Sequence, residues 1–129
     1  MKDREEARLK QARESLEEAL ALLDAQMDTG FVLTNLYYSY YNPILALMNE
    51  SQVPSTMQSV TIGLFEQRFI TTGLFKKEYG SAVRRLFSIK PKCSGEKTPV
   101  SVEEVKELTV LASAFIQDVE SYLEKKAAR

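Results

Sequence analysis

The chain has 129 residues, 44% apolar and 27% charged, with a formal net charge of −1, one cysteine and no histidine. That length suits a single domain over residues 1–129 with a core of its own. The missing histidine excludes the commonest general base, the commonest metal ligand and the Glu-x-x-His pairs of di-metal bundles. No apolar run approaches the roughly 20 residues that a membrane helix needs, and the start MKDREEARLK is too charged for a signal peptide. The lone Cys93 cannot close an intramolecular disulfide, so a cytoplasmic protein without a membrane role is expected.

Read in chain order, the first helix is expected from about Asp3 to Gln26. Leu9, Ala12, Leu16, Ala19/Leu20 and Leu23 recur at steps of three and four, with Glu and Arg on the other face. Asp28 and Thr29 offer a cap for a second helix to about Asn49. This helix holds the stretch LTNLYYSYYNPILALM, residues 33–48, with four tyrosines in five positions. Tyr37, Tyr38, Tyr40 and Tyr41 point to a helix that is buried, or that lines a cleft or a subunit contact, because each ring has an apolar body and one polar tip. Pro43 predicts a kink or break near Ser39 to Asn42.

A third helix is expected to start at Ser55-Thr56-Met57-Gln58, a capping-box pattern, and to run to about Thr71. Gly73 should end it, and a fourth helix should cover about Leu74 to Ser88. Residues 90–99, KPKCSGEKTP, read as a loop. Ser101 with Glu104 makes a second capping box. The final helix carries Val105, Leu108, Ala112, Phe115, Val119 and Tyr122/Leu123 on one face. Together these elements predict an all-α, antiparallel, up-and-down bundle of about five helices. Its long first and last helices should be neighbours, with the tyrosine helix central.

Charge is distributed unevenly. Residues 1–28 carry five basic and eight acidic side chains, whereas residues 66–97 carry eight basic ones against Glu66, Glu78 and Glu96. Two readings stay open. Arg68, Arg84, Arg85 and Lys90 form an anion or nucleotide site, or neighbouring helices neutralise them across the bundle.

The order of features resembles the HEPN superfamily (higher eukaryotes and prokaryotes nucleotide-binding domain), in its small stand-alone prokaryotic type. An LxxAxxxL helix is matched by Leu16, Ala19 and Leu23, and a YYA-F core before A-LL by residues 37–41 and 45–48. The P-K-T-H helix start is matched by Pro54-Ser55-Thr56-Met57, F---F---G by Phe65, Phe69 and Gly73, and A--F---V--YL by Ala112, Phe115, Val119, Tyr122 and Leu123. The resemblance implies a helical bundle, usually dimeric. It also implies a link to ribonuclease toxins that pair with a small nucleotidyltransferase, and whose chemistry needs an arginine followed closely by a histidine.

Here the motif is degenerate. Lys90 stands where the arginine belongs, Ser94-Gly95 where Asp-Tyr is usual, and Met57 replaces the helix-start histidine. Metal-independent RNA cleavage needs a group to move the 2′-hydroxyl proton and a cation for the phosphate. Arg84 and Arg85 lie one turn upstream but bring no proton-transfer partner. Glu66 and Glu78 are carboxylates outside any recognisable pattern. Neither a catalytic residue nor a metal or other cofactor is therefore expected. The expected function is binding of a nucleotide, RNA or a partner protein, as a homodimer and with a nucleotidyltransferase as a possible partner. The alternative is a ribonuclease toxin whose site has moved.

Overall fold

Capping, apolar spacing and glycine placement set the helix boundaries. The computed structural model describes residues 3–25, 29–48, 57–89 and 100–127. Among them are five α-helices: α1 (Asp3–Asp24), α2 (Thr29–Leu47), α3 (Gln58–Phe65), α4 (Lys77–Ile89) and α5 (Val102–Ala127), with a π-helical turn at Glu66–Ile70 directly after α3. The protein is an all-α bundle. The expected capping residue Asp28, the Ser55 capping box and the 90–99 loop lie outside the described residues.

α1 buries Leu9, Ala12, Leu16 and Ala19, the spacing read from the sequence, and also Glu5. Its stripe packs along α2, the next helix after a short connection, so the two form an antiparallel hairpin. α2 is central, touching α1, α3, α4 and α5. α1 also meets α5, to which Arg13 is tied by an ion pair with Glu120.

Of the kink or break expected near Ser39 to Asn42, the break does not occur: α2 runs unbroken through Pro43 from Thr29 to Leu47. Proline inside a helix costs about 3 kcal/mol or more. Here Tyr40, Tyr41 and Ile44 are buried around it, and full burial of one large apolar side chain contributes about 1.5–3 kcal/mol. Local side-chain bonds support the same stretch. Ser39 Oγ donates to the Leu36 carbonyl at 2.5 Å and Asn42 Nδ2 to the Tyr38 carbonyl at 3.1 Å.

α3 starts later than expected. Met57 is its N-cap residue, without a side-chain cap, so Gln58 opens the helix instead of closing a capping box from its third position. The π-turn is closed by the Thr71 N–H donating to the Glu66 carbonyl five residues back, at 2.8 Å. Gly73 then takes φ 79°, a left-handed conformation that suits glycine and stops the helix. Phe75 N–H donates to the Phe69 carbonyl at 2.9 Å, so residues 74–76 belong to this exit and α4 begins at Lys77, later than expected. Gly80 lets α4 approach the π-turn closely, since a Cβ there would lie 3.3 Å from Ile70 Cγ1.

α4 divides cleanly into a buried face with Tyr79, Ala82, Val83 and Leu86 and an exposed face with Arg84 and Arg85. The start of α5 matches its expected cap, with Glu104 N–H donating to Ser101 Oγ at 3.1 Å. Val105, Leu108, Ala112, Phe115, Val119 and Leu123 enter the core, while Tyr122 packs against it from a half-buried position.

Candidate functional site

The tyrosine cluster is mostly core. Tyr37 and Tyr40 are 0% exposed and Tyr41 is 5% exposed, leaving Tyr38 half-buried. Helical spacing sends the rings two ways. Tyr37 and Tyr41, four residues apart, stack at 5.6 Å and 16°. Tyr37 also meets Tyr38 edge-on at 5.2 Å and Phe87 of α4 at 6.1 Å. Tyr40 turns toward α5, stacking on Phe115 at 5.8 Å.

The polar tips are treated differently. Tyr37 Oη donates to Gln58 Oε1 and Tyr40 Oη to the Leu108 carbonyl, both at 2.7 Å. Tyr41 Oη is buried with no hydrogen-bond partner among the described residues. Burial pushes the Tyr37 phenol up, helped by Tyr41 and Tyr38, and burial pushes the Tyr40 phenol up, helped by Tyr79. Both phenols therefore stay neutral donors. Tyr37, Tyr40 and Tyr41 thus belong to the core of the chain, and Tyr38 keeps part of its ring at the surface.

The basic segment presents its cations to solvent and to carboxylates. Arg84 Nε and Nη2 both donate to Glu66 Oε1, at 2.9 and 2.5 Å. This bond to Glu66 raises the Arg84 pKa against a smaller effect of desolvation. Arg85 donates to Glu104 through Nη2 at 3.1 Å and Nε at 3.4 Å. Arg68 is exposed and lies two residues beyond Glu66, roughly opposite it around the helix. Lys90 lies outside the described residues. Arg84 and Arg85 are thus both engaged by carboxylates, while Arg68 stands at an exposed position.

Glu66 and Glu104 are the partners that sequence reasoning missed in this role. They lie 18 and 19 residues from the arginines they hold. Alternating acid and base across two helices was the available signal, but it names no particular pair. A second arrangement was also missed. Tyr79 Oη, on the buried face of α4, donates to the Asp118 carboxylate of α5. Burial first, then this bond and the carboxylate charge, push the Tyr79 phenol up.

Among the described residues no group of three or more His, Cys, Asp or Glu side chains is placed to hold a metal ion. No described helix is long and apolar enough to cross a membrane. No family model matches the chain. A UPF0332 protein of Thermotoga maritima is 27% identical over 116 residues, covering 89% of this chain and 87% of that protein. The similarity therefore runs through the helical bundle from end to end rather than marking one motif.

Proposed function

We propose that this chain is a HEPN-like helical domain that binds rather than cuts. The observation carrying this reading is the fate of the two arginines nearest the degenerate motif. Arg84 is held by Glu66 and Arg85 by Glu104. A guanidinium engaged by a carboxylate is a poor clamp for a transferring phosphate. The chain has no histidine to move a 2′-hydroxyl proton, and the carboxylates beside these arginines, Glu66 and Glu104, are taken up in the ion pairs.

Neutralised cations also weaken the attraction for a bare polyanion, which depends on free positive charge. Of the three ligand classes open to such a domain (nucleotide, RNA and protein), this favours a protein partner. A small nucleotidyltransferase in a toxin–antitoxin-type pair is the partner that the HEPN resemblance implies, with the domain acting as a two-fold dimer. Since Tyr37, Tyr40 and Tyr41 are inside the chain, a dimer would have to use other surfaces.

The test combines three measurements on the purified protein: light scattering, anisotropy with labelled short RNAs, and a metal-free RNA degradation assay near neutral pH. A dimer with weak, salt-sensitive RNA binding and intact RNA is expected. Cutting of a model RNA that is lost in Lys90→Ala, or in Arg84→Ala with Arg85→Ala, would overturn the non-catalytic reading.

A further inference from the structure

We propose that the cavity between residues 73–76 and the C-terminal half of α5 binds a small anion built on a single planar ring, and this stands independently of the HEPN reading. The left-handed turn at Gly73 folds the connector toward α5, and the Phe75 N–H bond to the Phe69 carbonyl holds it there. Phe75 and Tyr122 meet across the turn with ring centroids 5.6 Å apart. The cleft is open to solvent on one side and measures about 390 Å³, within the range of small-molecule sites, roughly 300–1,000 Å³.

α5 contributes Asp118, Ser121, Tyr122 and Lys125 to this cavity, and the connector contributes Lys76. The α5 residues are spaced by three, one and three, so they form one stripe about two helical turns long, roughly 10 Å. Beside the apolar stripe of the same helix, this one alternates charge, hydroxyl and ring. Asp118 is not a loose surface carboxylate. The Tyr79 hydroxyl, itself 1% exposed, holds one of its oxygens from the core side.

The treatment of charge here differs from the rest of the bundle. Arg13, Arg84 and Arg85 each have a carboxylate partner from another element. No ion pair engages Lys76 or Lys125 among the described residues, although both line a cavity that contains Asp118. Two ammonium groups against one carboxylate leave this cavity with a net positive charge. A phosphate or carboxylate suits the lysines, a ring suits the wall formed by Phe75 and Tyr122, and a donor on the far side of that ring suits Asp118.

The probe is para-aminophenyl phosphate, which has these three parts, titrated into the whole chain while backbone amide chemical shifts are followed. Saturable shifts confined to residues 73–76 and 118–125 are expected. Inorganic phosphate, lacking the ring, should bind about tenfold more weakly. Lys76→Ala with Lys125→Ala, both at exposed positions, should weaken the probe by at least about tenfold while the helical spectrum is unchanged. Asp118→Asn keeps an acceptor for Tyr79. It should remove the preference for para-aminophenyl phosphate over phenyl phosphate and leave phenyl phosphate binding in place. Shifts that fail to saturate, that centre on other residues, or that persist unchanged in the double lysine variant would overturn the proposal.

Discussion

α2 and α4 meet where Tyr37 lies against Phe87, yet they handle polar groups in opposite ways. α2 takes its polar atoms inside and bonds most of them to fixed partners, as with Tyr37 to Gln58 and Tyr40 to Leu108. α4 keeps its two arginines outside and neutralises them with Glu66 and Glu104. A buried hydroxyl stripped of water costs about 1–3 kcal/mol if left unpaired, so α2 must solve its hydrogen bonding or lose stability. An exposed ion pair contributes only about 0–1 kcal/mol, so α4 can change its pairing at little cost. The difference separates a region that specifies the fold from one that is free to serve recognition.

The largest effect that tests this contrast is alkaline unfolding. Tyr37, Tyr40 and Tyr79 all have phenol pKa values raised above the ordinary 10.0, chiefly by burial. In the unfolded chain these phenols lose their protons above about pH 10, while the folded chain retains them. Their contribution is therefore fully present below about pH 10 and is lost as pH rises toward the folded values. Urea midpoints should be level between about pH 8 and pH 9.5 and fall steeply above about pH 10.5. The tyrosinate absorbance of Tyr37, Tyr40 and Tyr79, isolated by comparison with their Phe variants, should rise with unfolding rather than before it. Ionisation of Tyr37 and Tyr40 with the helices intact would break the argument that α2 is sealed.

Next in size is truncation within α2. Tyr40→Ala removes a ring stacked on Phe115 and a bond to the α5 backbone, and should cost about 3–5 kcal/mol. Arg84→Ala should cost less than about 1 kcal/mol. Parallel urea denaturation of the two variants measures the contrast, and equal costs would erase it.

Much of this division was legible in the sequence. Apolar residues at three- and four-residue steps gave the inward faces of α1 and α5, and Ser101 with Glu104 gave the start of α5. These are local signals, because a helix writes its own period into the chain. The break allowed for at Pro43 is absent because burial of the surrounding residues outweighs a local helix penalty. The candidate anion site was less legible. Whether an arginine is free depends on which carboxylate a different element brings to it. Arg84 with Glu66, and Tyr79 with Asp118 at a separation of 39 residues, are not encoded in any short window.

A finer comparison lies within α2 itself. Tyr40 Oη has a partner and Tyr41 Oη, also buried, has none among the described residues. Tyr40→Phe removes the side-chain donor to the Leu108 carbonyl and should cost about 1–2 kcal/mol. Tyr41→Phe removes a hydroxyl that has lost its water without replacement, so it should be neutral or stabilising by up to about 1 kcal/mol. A Tyr41→Phe cost matching that of Tyr40→Phe would show that a partner for this hydroxyl is present in solution.

The smallest effects belong to α4, and they are the ones that connect stability to recognition. Arg84 is 43% exposed and Glu66 32%, and Arg85 and Glu104 are similar at 42% and 31%. A double-mutant cycle on either pair should give a coupling below about 1 kcal/mol. Binding should respond more than stability does. Glu66→Gln with Glu104→Gln removes both neutralising carboxylates and raises the net positive charge that Arg84 and Arg85 present to a polyanion. RNA affinity at low salt should then rise, and the dependence of log affinity on log salt should steepen by about 0.7 for each arginine that reaches a phosphate. If the ion pairs only decorate the surface, both arginines were already available, and the slope will not change. An increased slope with unchanged urea midpoints would mean that these two glutamates set the ligand preference of α4 without supporting its fold.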